Sequence, residues 1–384
     1  MKVLFLTTSF PRFEGDHAGS FVFNLAKHLK KGGVEIDVIV PNEGRQKKHE
    51  LIEGLKIHRF SYFSRRHQKL AFKSGIPENL RKNKLLLFVL PFFLISFFLS
   101  SIKHVKQADI IQCLWFPLGV LGIFLNFFHK KKLIVNLRGS DRKYLKKGRS
   151  LLSIIILRKS DALIAVGKEL LKEINTPDKK KLFFIPNGVD VSSKKKFEFD
   201  FSQRIILFAG NLTKNKSVNT LLDAAKIIKK THNFKLVIVG EGPEKKSLEE
   251  KAQGLEEKIK FLNFLPQKEL FYLLEKSHVL VLPSLSEGRS NIVLEGFASG
   301  LPVIASDIPA NREIVIDKAT GFLFTPKNQT ELAEKIALIF KRENLRDELV
   351  HGAKKFIQDK NLTWDNTAKK YIKIYKNIFQ EKEA

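Results

Sequence analysis

Short apolar runs of strand length, each followed by an amphipathic stretch, repeat along the whole 384-residue chain. The runs are too short for helices, rich in Val, Ile and Phe, and apolar at successive positions. A strand buried on both faces of a helix-covered parallel sheet needs this pattern. The first half reads as strands over Lys2–Thr7, Ile36–Val40, Asp109–Leu114, Leu133–Leu137, Ala162–Val166 and Leu182–Ile185, with a helix over Ser20–Lys31. A second cycle begins near Arg204. It predicts strands Ile205–Ala209, Lys235–Val239, Ile259–Leu262, Val279–Leu282 and Val303–Ala305, with helices Ser217–Lys230, Pro243–Gln253, Gln267–Lys276 and Asn291–Ser299 between them. Two doubly wound α/β domains with right-handed crossovers follow. The expected organisation is a first domain over 1–191, a linker over 192–201 and a second domain over 202–362. A C-terminal helix over 363–384 is expected to return to the first domain. In such sheets ligands bind beyond the carboxyl ends of the strands, so chemistry is sought in those loops and in a cleft between the domains.

The formal net charge is +28, and it is uneven. Residues 51–150 hold 20 Lys/Arg against 4 Asp/Glu. An anionic partner is the functional reading, and a surface simply solvated by lysine is the plain one. A recognisable nucleic-acid module is absent, so no nucleic-acid partner is expected. The single cysteine, Cys113, excludes an intramolecular disulfide and a cysteine metal cluster. Met1 leads directly into a strand-length apolar run, which predicts a cytoplasmic protein.

Leu85 to Leu99 is apolar apart from Pro91 and Ser96, with Arg81, Lys82 and Lys84 before it and Lys103 after it. It is shorter than the roughly 20 residues of a spanning helix. Two readings stay open. One is a core helix packed on the first sheet. The other is a helix lying on the inner face of the cytoplasmic membrane, its basic flank on an anionic surface.

Chemistry concentrates after the strands of the second half. Ser284 to Pro302 contains Glu287, a candidate N-cap at Ser290, the helix-opening residues Asn291 and Ile292, and Glu295 about one turn in. A helix N-terminus offers N–H groups to an anion, and a carboxylate accepts hydrogen bonds from vicinal hydroxyls. Gly210, Asn211 and Lys216 occupy the first strand-to-helix turn of this half, where a lysine can neutralise phosphate. Gly240-Glu241-Gly242-Pro243 follows the next strand but lacks the Gly-x-Gly-x-x-Gly fingerprint, which disfavours a dehydrogenase. Arg138-Gly139-Ser140-Asp141 ends a strand of the first half. No His/Cys cluster or Asp-x-Asp suggests a metal.

Together these residues resemble the family 4 retaining glycosyltransferases of GT-B fold, also called group 1. Gly19-Ser20-Phe21-Val22, Arg138–Asp141, Ile185–Asp190, the pair Glu287 and Glu295, and Gly300–Val303 match in order. The resemblance implies a sugar moved from a UDP- or GDP-sugar to a lipid-linked or polysaccharide acceptor with retention, without metal or other cofactor. It makes Lys216, Glu287 and Asp141 catalytic candidates. Gly19, Arg138, Gly210, Asn211, Gly240, Leu265, Ser290, Asn291, Ile292 and Glu295 are implied to bind donor together with Lys216 and Glu287. Glu295 would hold ribose, Glu287 the sugar, Lys216 the diphosphate, and Leu265 would lie near the base. Four positions depart from the family's pattern. Asn211 stands where arginine is usual, Ser217 where glycine is usual, and Gln112 and Leu114 where histidines are usual. The last departure motivates an alternative, a catalytically weakened GT-B protein that binds a nucleotide sugar or a partner. A sugar-nucleotide epimerase using Asp16, His17 or Asp141 fits the pattern less well.

Overall fold

A computed structural model describes the chain except residues 14, 17, 44–45, 65–67, 72–74, 147–149, 177, 191–197 and 381–384. Most of the expected linker, 192–197, and His17 therefore lie outside the described residues. The chain divides into two compact units. One comprises 1–14, 18–187 and 364–384; the other comprises 188–363 together with 15–17.

The first unit is built on eight strands: β1 (Lys2–Leu6), β2 (Glu35–Pro41), β3 (His49–Ile52), β4 (Leu55–Phe60), β5 (Ile110–Cys113), β6 (Lys132–Leu137), β7 (Ala162–Ala165) and β8 (Leu182–Phe184). Their order is β3-β4-β2-β1-β5-β6-β7-β8. All neighbours are parallel except the β3–β4 hairpin. Sequence periodicity missed this hairpin, because β3 is half polar and its residues are only partly covered. Its turn holds Glu53 and Gly54 at positive φ, 47° and 75°, as a two-residue primed turn requires.

One face of this sheet is covered by the helices Ser20–Lys31 and Trp364–Gln380, around Phe5, Val38, Ile110 and Ile134. The C-terminal helix is tied in by a buried polar network. Tyr375 donates to Gln112 Oε1, Gln112 Nε2 donates to Asn136 Oδ1 at 2.8 Å, and Asn136 Nδ2 donates to the Tyr371 hydroxyl at 2.5 Å. Buried polar groups satisfied in this way specify one arrangement of the elements that carry them.

The other face is covered by Leu90–Val105, Leu118–His129 and Leu151–Lys159. Leu90–Val105 continues a 3₁₀ turn, so Lys84–Val105 forms one 22-residue stretch long and apolar enough to cross a membrane. The sequence reading, which counted only Leu85–Leu99, underestimated it. Phe93, Phe97, Ser101 and Val105, four residues apart, are buried against the sheet. Spanning a bilayer would strip that core bare. Phe88, Phe92, Ile95 and Leu99 are exposed. The two readings left open for this helix thus belong to its two faces: one is core, and the other is apolar surface.

The second unit has six parallel strands: β9 (Ile205–Ala209), β10 (Lys235–Val239), β11 (Ile259–Leu262), β12 (Val279–Leu282), β13 (Val303–Ser306) and β14 (Phe322–Phe324). Their order is β11-β10-β9-β12-β13-β14. From β9 the chain winds to β10 on one side and returns to β12 on the other, so the topological switch point lies between β9 and β12. Only β14, three residues long, was not anticipated.

Candidate active site

The second unit gathers its candidate residues at the carboxyl ends of β9, β10 and β12. Gly210 extends β9, its N–H donating to Val239 O at 3.0 Å. Gly240 takes the matching place after β10, with φ 151°. A Cβ on Gly240 would stand 1.9 Å from the Gly210 carbonyl oxygen, so the two turns touch backbone to backbone and only glycine fits there. Asn211 is exposed beside them.

Lys216 and Glu287 meet across the switch point. Lys216 closes the turn after β9, Glu287 lies in the loop after β12, and Lys216 Nζ donates to Glu287 Oε1. Both side chains are largely covered, at 20% and 11% exposure. A clamp aligns the two loops: Asn215 Nδ2 donates to Ser286 O at 2.7 Å, and Leu285 N–H donates to Asn215 O at 2.8 Å. Ser217 ends the turn in the left-handed region, φ 48° and ψ 40°. That conformation is the physical reason a glycine is usual at this place; Ser217 holds it with its hydroxyl 3.0 Å from Thr220 Oγ1.

Beyond Glu287 the chain enters the helix Asn291–Ala298. Ser290 occupies the N-cap position in extended geometry, but its hydroxyl makes no cap bond. Asn291, Ile292 and Glu295 are half-buried along the first turns. Burial pushes Glu295 up to about 7, and no neighbouring charge or hydrogen bond offsets it. An unopposed carboxylate is a standing demand for hydroxyl donors. Leu265, after β11, packs on the core that includes Val293 and Leu294.

The family model for glycosyl transferases group 1 matches residues 191–356, and that for glycosyltransferase family 4 matches residues 18–193. The chain belongs to this glycosyltransferase family. An uncharacterized glycosyltransferase of Methanocaldococcus jannaschii is 28% identical over 98% of both chains. A Campylobacter jejuni α-1,4-N-acetyl-D-galactosaminyltransferase, named for an undecaprenol-diphosphate-linked acceptor, is 30% identical over 47% of this chain and 51% of its own. Among solved structures, Anabaena Alr3699/HepE in complex with UDP-glucose superposes with TM-score 0.76, covering 98% of this chain and 100% of its own at 17% identity. The fold is GT-B, and the protein is a glycosyltransferase acting on nucleotide-sugar donors.

Three candidates of this glycosyltransferase lie on the first unit. Gly19, at φ 65°, precedes the helix Ser20–Lys31, and a Cβ there would stand 2.4 Å from Ser9 O. Arg138 follows β6, its guanidinium 3.3 Å from the centre of the Phe21 ring, and burial lowers it to about 10. Asp141 is fully buried. Its carboxylate accepts the Arg138 N–H at 2.9 Å, and burial raises it to about 6. The Asp141 carboxylate thus closes the turn that carries Arg138.

Gln112 and Leu114, the positions without the usual histidines, are both buried on the face beneath the C-terminal helix. Gln112 there serves the network with Tyr375. Sequence reasoning missed the part of Asn215 in the clamp, and also Arg289, whose buried guanidinium lies 3.6 Å from the Glu313 carboxylate. It also missed a cluster far along the chain: Asp37, His58 and His104 bring ligand-type atoms within 4.8 Å of one another. The Lys2 ammonium already lies 2.9 Å from the Asp37 carboxylate.

Proposed function

We propose that this glycosyltransferase moves a hexosyl unit from a UDP- or GDP-sugar, with retention of configuration, to a lipid-linked or polysaccharide acceptor, without a metal. The observation that carries the reading is the Lys216–Glu287 pair across the switch point, with Glu295 unopposed in the adjoining helix. Glu295 accepts the ribose hydroxyls. The glycine turns at 210 and 240 let the diphosphate approach backbone N–H groups. Lys216 turns from Glu287 toward the developing charge on the leaving phosphate, and Glu287 is thereby released to the sugar hydroxyls. Charge stabilisation by a preplaced ammonium and orientation of both substrates supply the rate. The leaving phosphate itself can receive the acceptor proton. The Campylobacter relative, named for an undecaprenol-linked acceptor, and the UDP-glucose complex of the Anabaena protein support the substrate classes. The exposed apolar helix face of the first unit supports a peripheral place on an anionic membrane.

A panel of UDP- and GDP-sugars, scored for thermal stabilisation, hydrolysis and transfer in EDTA, tests the reading. A stabilising donor turned over in EDTA is expected. Activity abolished by EDTA and restored by Mn²⁺ or Mg²⁺ overturns the metal-free phosphate site. Gln112 and Leu114, in place of the usual histidines, favour a second reading, a weakened enzyme that binds donor. Stabilisation by a donor with neither hydrolysis nor transfer to any acceptor selects it.

A further inference from the structure

The three helices on the outer face of the first unit enclose a trough of about 870 Å³, within the range of ligand cavities. Phe93, Leu94 and Phe98 form one wall, Val120 and Phe124 the other, and the Leu151–Lys159 helix contributes Leu152 and Ile156. At one end stand Trp115 and Phe116, which follow β5, and Lys143 and Tyr144, which follow the Arg138–Asp141 turn after β6. The polar end of the trough therefore opens at the loops that present Arg138, on the edge of the sheet where this fold does its chemistry. The other end opens among Leu99, Phe124 and their exposed apolar neighbours. Lys143 is the charged residue of the lining, and it suits an anion at the chemical end of an otherwise apolar ligand.

We propose that the trough binds the single hydrocarbon chain of a prenyl phosphate acceptor, with the phosphate at Lys143 and the chain leading out to the apolar face. The proposal rests on the transfer reading above and names its acceptor. One trough takes one chain, whereas a glycerophospholipid brings two. The surrounding segment, with 20 Lys/Arg against 4 Asp/Glu over 51–150, complements the anionic leaflet in which such a lipid resides.

Trp115 reads the trough directly. The chain has two tryptophans, Trp115 and Trp364, so a Trp364→Phe background isolates its emission. Geranylgeranyl phosphate, kept below its micelle threshold, is titrated against palmitoyl lysophosphatidylglycerol as the single-chain acyl control. A saturable change in Trp115 emission is expected, at least tenfold tighter for the prenyl phosphate. Val120→Phe, which fills the trough, weakens binding tenfold or more. Should that variant melt early, Leu94→Phe fills from the opposite wall. Lys143→Met weakens geranylgeranyl phosphate but leaves geranylgeraniol unchanged. No saturable change, equal affinity for both chains, or a folded filling variant that binds like the parent overturns the proposal. A protein that binds prenyl phosphate yet moves no sugar overturns the transfer reading alone. One that glycosylates a soluble glycan and ignores prenyl phosphate overturns the trough alone.

Discussion

The two units share an architecture but meet different surroundings. In the second, covering helices such as Val218–Ile228 and Gln329–Lys341 bury one apolar stripe and turn polar residues outward. In the first, Leu90–Val105 and Leu118–His129 are apolar on both faces, and Phe127 is 80% exposed. Water alone selects the first kind of helix. Exposed aromatic and aliphatic surface of the second kind marks a partner as apolar as itself. Net charge divides the same way, at +24 for the first unit and +4 for the second. The comparison teaches that the two units present different physical environments, and the proposed division of donor chemistry and acceptor contact between them requires that each can be damaged without the other.

The largest expected effect tests the donor side. Lys216→Ala should lower kcat by about 10²–10³, the size of losing one preplaced donor to a developing charge. Binding to anionic vesicles should stay unchanged. A parallel loss of vesicle binding would break the division between the units.

Next comes the apolar face. Replacing Phe88, Phe92 and Phe127 together by Ser should weaken sedimentation with phosphatidylglycerol vesicles by about a hundredfold, since three side chains dipped part-way into the interface at about 1 kcal/mol each, below the roughly 1.5–3 kcal/mol of full burial, sum to about 3 kcal/mol. UDP-glucose affinity in solution should not move. For the parent, binding should fall as salt rises, because attraction between exposed charges is screened within about 8 Å at physiological ionic strength. A triple variant that still sediments with vesicles makes the outer face an accident of composition.

The pH response sharpens the comparison from the donor side again. Glu295 in the free protein ionises near 7. On the proposed assignment ribose hydroxyls donate to its ionised form, so nucleotide binding should release a proton and UDP-glucose affinity should fall up to about tenfold between pH 7 and pH 6. Because the folded pKa is raised, the free protein holds this proton when the unfolded chain has lost it. The stability it contributes is present at low pH and lost as pH rises through about 7. Glu295→Gln should flatten the affinity profile and cost about 1–3 kcal/mol of binding at pH 8. Calorimetry showing the same profile in both proteins would remove Glu295 from the ribose.

The smallest effect concerns the left-handed Ser217. Ser217→Gly should change stability by less than about 1 kcal/mol, because relief of backbone strain offsets the lost hydroxyl contacts. Ser217→Ala keeps the strain and loses the contacts, so its Tm should be the lower of the two. The reverse order would show that the hydroxyl contacts do not hold the turn.

Much of the fold was legible in the sequence because parallel strands buried on both faces leave apolar runs such as Leu236–Val239 that are too short for helices. The candidate residues after β12 could be singled out together because they are nearly contiguous: Glu287, Ser290 and Glu295 belong to one stretch. Pairings across the fold were not legible. Lys216 reaches Glu287 71 positions away, and Tyr375 reaches Gln112 263 positions away. Such distances leave no local period. The dual nature of Leu90–Val105 was hidden for another reason. A helix apolar all round reads the same whether its outer face is covered by protein or by hydrocarbon.

The polar ties from Tyr371 and Tyr375 to the strands bearing Asn136 and Gln112 set an order of assembly. A ribosome delivers those strands long before the helix that closes over them. Until then Gln112 and Asn136 lack their tyrosine partners, and the sheet face around Ile110 and Ile134 lies open. The second unit, continuous over 188–363, is meanwhile free to fold as it emerges. A chain cut after residue 363 would therefore keep the whole of the continuous second unit while leaving this sheet face of the first unit uncovered.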